Sequence, residues 1–148
     1  MINIGKGIIA GLVAAAVVSA TLFLGSLIGV LPAPDPVRVA SGIMLSPPGL
    51  GWVVHFAVGT FLWGPVFAVV SPVLPSPFWF KGVTFGMLAW LLMLFVTWAA
   101  DPIALPQPSL EPVLLHLLFG AVLGSLYGTL LDRRERQVPT RGATLTDR

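Results

Sequence analysis

Two histidines are the residues of this sequence best placed to do chemistry. His55-x-x-x-Gly59 recurs as His116-x-x-x-Gly120, 61 residues further on, each inside a long apolar stretch. An ionisable side chain in hydrocarbon needs partners for its polar atoms, which makes it a functional candidate. Three chemistries fit. Each imidazole can hydrogen-bond a backbone carbonyl or hydroxyl on a neighbouring helix and lock a bundle. Two facing imidazoles can hold a haem b or another tetrapyrrole axially, with Gly59 and Gly120 leaving room for the ring. The pair can also form an outward-facing site for a metal, a quinone or a proton. Arg38 alone is available for tetrapyrrole propionates. A stable metal site usually wants three or more protein ligands, and only Asp101 and Glu111 lie at comparable depth.

No catalytic set accompanies the histidines. The sequence has no phosphate-binding loop and no H-E-x-x-H, and Gly124-Ser125-Leu126-Tyr127-Gly128 lacks the spacing of a nucleophile elbow. With no cysteine, disulfides, Fe–S clusters, thiolate zinc sites and thiol nucleophiles are excluded. Small proton-coupled exporters of similar size need a carboxylate buried in the membrane, and no apolar stretch here contains one. The chain reads as a non-enzyme.

The elements that hold the histidines follow from composition. Of 148 residues, 56% are hydrophobic and 9% charged, with a mean hydropathy of +0.94. Soluble domains carry about 25% charged residues, so this chain is a membrane protein and neither a soluble enzyme nor a nucleic-acid binder. About 20 apolar helical residues cross the hydrocarbon core. Four segments qualify, over about 7–31, 50–70, 79–100 and 112–131. They are continuous apolar runs without period-2 alternation, so they are helices and not barrel strands. The breaks between them are rich in proline, which removes a backbone donor and disfavours helix before it. Gly64-Pro65 should kink the second span. The first span is about twice as long as a signal-peptide core and is expected to remain in the protein. The expected architecture is an all-α four-helix transmembrane bundle over 1–131 with a polar, basic tail over 132–148.

Charge sets the expected orientation. Lys6, Lys81, Arg133, Arg134, Arg136, Arg141 and Arg148 flank one side, and Arg38 alone flanks the other. By the positive-inside rule both termini are cytoplasmic. Trp52 and Trp98 then mark the outer interface, Trp79 and Tyr127 the inner one. Both histidines sit about 5 to 9 Å below the outer interface, and no other ionisable residue is expected within a span. The tail is a stop-transfer flank that attracts anionic lipid. Within the loop 32–49, residues Val37 to Leu45 read as a short interfacial helix, acting as a spacer or as a lid over the histidines.

The chain also repeats itself. Lys6-Gly7-x-x-x-Gly11 opens the first span and Lys81-Gly82-x-x-x-Gly86 opens the third, 75 residues later. With the histidine elements this reads as two tandem copies of one helical hairpin, inserted the same way up. Their axis would lie along the membrane normal. Small residues mark helix contacts, because lipid gives helices no hydrophobic drive to associate. Gly7, Gly11, Ala15 and Ser19 form one stripe, Gly82 and Gly86 start another, and Gly120, Gly124 and Gly128 form a third. Gly59 belongs with them.

These elements resemble a family of small bacterial four-span membrane proteins of unknown function. The resemblance rests on Lys6–Gly11, Leu50–Thr60 with Trp63-Gly64, Phe85–Met93, and His116–Gly124 with Tyr127-Gly128. It implies a multi-pass protein of the bacterial inner membrane and brings no activity with it. The expected role is association through helix faces, as a homo-oligomer or an accessory subunit of a larger membrane complex among membrane lipids. A haem or pigment carrier using His55 and His116 is the alternative, and a small-solute transporter ranks last.

Overall fold

The computed structural model describes residues 2–31, 48–100 and 110–137, which are mostly helical with no strand among them. Helix α1 spans Ile4–Leu27. Helix α2 spans Pro48–Ala57 and continues through a π-helical segment, Val58–Trp63, into α3, Gly64–Val70. A 3₁₀ turn over Ser71–Val73 follows. Helix α4 spans Phe78–Ala100 and α5 spans Leu110–Gln137. Four stretches are long and apolar enough to cross a membrane: Ile4–Leu27, Gly51–Val73, Phe78–Val96 and Leu110–Arg133. The expected Val37–Leu45 helix, the loop through Asp101 and the tail beyond Gln137 lie outside the described residues.

The helix ends differ in detail from the sequence-based expectation. Helix α1 begins earlier because Asn3 caps it, its side-chain oxygen accepting from the Lys6 N–H at 3.0 Å. It stops before the prolines, at a glycine. Gly29 takes φ +72°, Val30 N–H donates to the Gly25 carbonyl at 2.9 Å and Gly29 N–H to Ser26 at 3.1 Å. That pair of bonds is a Schellman cap, which needs a residue able to enter the left-handed region. At the other end, α5 runs on through Gln137, so the first six residues of the expected tail are helical. Arginines in a last turn suit the negative end of the helix dipole.

Gly64-Pro65 does not act alone. The disturbance it causes extends backwards as the π segment, in which Gly64 N–H donates to the Gly59 carbonyl. A proline in a helix lacks its own donor and crowds the carbonyl four residues earlier. A widened turn just before it relieves that crowding.

Helix α1 packs on the second span and on α5, and α4 packs on α5. The contacts of α1 with the second span and of α4 with α5 are backbone approaches through glycine. A Cβ on Gly7 would run into the Gly64 carbonyl, and one on Gly64 into the Gly7 carbonyl. One on Gly11 would meet the Gly59 carbonyl, and one on Gly59 the Ala15 methyl at 3.0 Å. Between α4 and α5, Gly82 and Gly120 each stand against the other's carbonyl. Gly86 stands against that of His116, Gly124 against that of Phe78, and Gly128 under the Phe78 ring. The face that α1 buries is correspondingly small: Gly7, Ala10, Gly11, Ala14, Ala15 and Val18. Outward, Leu12, Phe23, Leu88, Leu92 and Phe95 remain exposed, a surface that suits lipid.

Where helices stand further apart, aromatic rings fill the gap. Phe67, Tyr127 and Leu123 are fully buried. Phe67 meets Phe85 edge-on at 5.3 Å and Tyr127 at 5.5 Å, and Trp63 meets Phe85 at 5.7 Å. Edge-to-face pairs of this kind add about 0.5–1.5 kcal/mol each beyond burial.

Gly82→Ala or Gly120→Ala is expected to force α4 and α5 apart and cost about 1–3 kcal/mol. Leu92→Ala on the exposed face should stay within about 0.5 kcal/mol. Thermal unfolding of the three variants in one detergent measures the difference.

Candidate functional site

Each histidine is positioned by its own helix. His116 stands two turns into α5, where Nδ1–H donates to the Pro112 carbonyl at 2.7 Å. That bond fixes the tautomer and leaves Nε2 as the atom able to accept or to ligate. The His116 backbone carbonyl faces Gly86 of α4. His55 is at the end of α2, just before the π segment, between the rings of Trp52 and Phe56, at 6.0 and 5.5 Å. It lies by the Ala15 carbonyl of α1, an oxygen that accepts from Ser19 Oγ at 2.8 Å. His55 Nε2 is buried without a hydrogen-bond partner. Among the described residues no ring contact or hydrogen bond joins His55 to His116, and no group of three or more His, Asp or Glu is placed to hold a metal.

Two further polar residues are held at the opposite end of the bundle. Lys81, read from the sequence as a flanking charge, is only 9% exposed. Its ammonium donates to the Ser71 carbonyl at 2.6 Å and lies 5.4 Å from the centre of the Phe78 ring. Lys6 donates in the same way to the Leu130 carbonyl at 2.5 Å. The histidines are therefore not the only ionisable residues within the helices. Each lysine crosses to a backbone carbonyl of another span: Lys81 reaches the C-terminal end of the second span, where acceptors without helical partners gather and positive charge is favoured, and Lys6 reaches Leu130, inside α5.

Tyr127 also departs from its expected place. It is fully buried and its hydroxyl accepts from the Asn3 N–H at 3.0 Å, so it ties the start of α1 to α5. Trp79 and Trp98, at 54% and 51% exposed, do face outward. Tyr127 differs from them because it lies three residues beyond Gly124 on the stripe that meets α4. That stripe was the available signal for a buried residue.

Over residues 1–138 the sequence matches the profile of a family of unknown function, DUF6789. The chain belongs to that family. No curated protein and no solved structure matches it. The family match spans all four candidate membrane spans together with both histidines, both lysines and Tyr127, so the multi-pass architecture and these residues fall within one family domain.

Replacing Lys81 with Met is expected to strand the Ser71 carbonyl and to cost about 1–3 kcal/mol. Tyr127→Phe, which removes only the acceptor for Asn3, should cost about 1 kcal/mol. Unfolding midpoints of the purified variants in detergent give both values.

Proposed function

We propose that this protein is a non-enzymatic membrane protein that works by association, as an accessory subunit of a larger membrane complex or as a homo-oligomer. One observation carries the reading. The polar groups with the most chemical potential, Lys6, Lys81, Tyr127 and the Nδ1 of His116, are all bound to the bundle's own backbone. The two lysines and Tyr127 join one helix to another, and the His116 bond orients its ring on its own helix. The glycine stripes are occupied within the monomer, so a partner would meet the larger side chains of the outer faces. Association then rests on shape and van der Waals packing in lipid, not on further small-residue seams.

The reading includes a duplicated hairpin with both termini in the cytoplasm of a bacterial inner membrane. The packing is in keeping with duplication. Gly7 and Gly11 lie against the second span as Gly82 and Gly86 lie against the fourth. Beyond the π segment the offset between matching residues falls from 61 to 60, which pairs Gly64 with Gly124 and Phe67 with Tyr127. Lys6 and Lys81 each cap a span from the other hairpin.

The alternative, a haem or pigment carrier, draws support from the uncommitted Nε2 of His116 and the unpartnered Nε2 of His55. An absorption spectrum after expression with haem supplied separates the two readings. A Soret band that disappears in both His55→Ala and His116→Ala favours the carrier.

A tagged copy extracted gently from native membranes should bring stoichiometric companions or a defined homo-oligomer, identified by mass spectrometry and native mass. A lone monomer would overturn association. For the orientation, single cysteines can be added to a chain that has none. Thr140→Cys should react with a membrane-impermeant maleimide only after permeabilisation, and Gln107→Cys without it.

A further inference from the structure

The contacts inside this bundle are of two kinds, and the division follows the chain. Helix α1 and the second span form one antiparallel hairpin over residues 4–73, and α4 and α5 form another over 78–137. Backbone approaches through glycine lie within a hairpin. They are Gly7 on Gly64 and Gly11 on Gly59 in the first, and Gly82 on Gly120, Gly86 on His116 and Gly124 on Phe78 in the second. Among the described residues no such seam joins one hairpin to the other. There the apolar contact is made by rings, Trp63 and Phe67 on Phe85 and Phe67 on Tyr127, and by Ala10 and Ala14 of α1, in one cluster with Leu123 of α5.

The polar contacts between the hairpins all lie at one end. Lys6 of the first donates to the Leu130 carbonyl of the second, at 2.5 Å, and Lys81 of the second to the Ser71 carbonyl of the first, at 2.6 Å. The Tyr127 hydroxyl accepts from the Asn3 N–H at 3.0 Å. The exchange is reciprocal, since each hairpin gives one ammonium and one carbonyl. Rings and small apolar faces tolerate sliding in lipid, whose tails are as apolar as the faces they would cover. An ammonium does not. Displaced by one turn, about 5.4 Å, it loses its carbonyl where an unpaired charge is costly. Buried polar groups of this kind fix register and partner, while apolar ones fill space. The connection between the hairpins is only residues 74–77, of which Pro75, Ser76 and Pro77 are exposed.

We propose that the face between the hairpins is a recognition interface specified by Lys6, Lys81 and Tyr127, and that the peptide connection over 74–77 is not what holds the two together. The partner this face fits is a membrane hairpin with a lysine near the start of one helix and a backbone carbonyl late in the other. Here one chain supplies both. The proposal concerns contacts within that chain and does not rest on the association reading.

A cut in the folded protein tests it. A protease site is inserted between Ser76 and Pro77 of the full-length chain, which is purified in mild detergent and then cleaved. Native mass after serial dilution in detergent reads how tightly the fragments hold each other. The unaltered fragments should stay paired. Lys6→Met and Lys81→Met should each weaken the pairing about tenfold, the scale of one polar contact between helices. Lys81→Arg, which keeps a charged donor, should retain most of it. Apolar packing alone predicts the opposite, because methionine matches lysine in length and suits lipid, leaving the pairing unchanged or tighter. Helical content and native mass before cleavage show that each variant is folded. Tyr127→Phe, which removes a single oxygen, reads the same interface with the least disturbance and should loosen it severalfold. Unaltered fragments that separate on cleavage would overturn the proposal. So would methionine and phenylalanine variants whose fragments stay paired as tightly as the unaltered ones.

Discussion

The structure depends on backbones approaching closely enough to touch. In lipid a helix gains nothing by hiding leucine from its surroundings, so helix association has to come from packing and hydrogen bonds. Here the closest packing occurs where Gly82 and Gly120 face each other's carbonyls, and where Gly7 and Gly64 do the same. Once those backbones are in contact, other features become possible. The α1 face of Ala10, Ala14 and Ala15 is shallow enough for the second span and α5 to reach it. The Phe67, Phe85 and Tyr127 rings can meet in the remaining space. The lysine side chains become long enough to reach from one span to the end of another.

Those lysines show how a membrane bundle uses charge without exposing it to hydrocarbon. Each ammonium meets a backbone carbonyl of another span, Lys81 at the C-terminal end of the second span and Lys6 at Leu130 inside α5. Lys81 further lies close to an aromatic ring, which favours a cation through its quadrupole. Together with the Asn3–Tyr127 bond they close one end of the bundle with polar contacts. The end that carries the histidines is built differently. There His116 is tied back to its own helix, while His55 and Thr60 retain unpartnered atoms on either side of the α–π junction. Among the described residues the polar contacts between helices gather at the lysine end, which gives the bundle an asymmetry along its length.

Family membership takes in both ends of this contrast. A family defined over residues 1–138 includes the polar closure at one end and the histidine-bearing region at the other. The proposed role by association draws on the first.

Much of this was legible in the amino-acid order. Apolar runs of membrane length fix four helices, because in hydrocarbon only internally bonded backbone is tolerated. The glycine positions that approach a neighbouring backbone stand out as small-residue stripes, because spacing along one helix is a local property. The histidines stand out because few residue types are ionisable in so apolar a chain. Tertiary structure decided the rest, for a physical reason common to each case: these properties depend on which chain segment lies opposite. Lys81 reads as a flanking charge until the Ser71 carbonyl is brought to it from another helix end. Tyr127 reads as an interfacial anchor until Asn3 donates to its hydroxyl. Thr60 looks like any helical threonine, and only the widened turn and its neighbours leave its hydroxyl alone. Sequence periodicity fixes which face a residue occupies; whether that face finds a partner, and of what kind, is settled only when the helices meet.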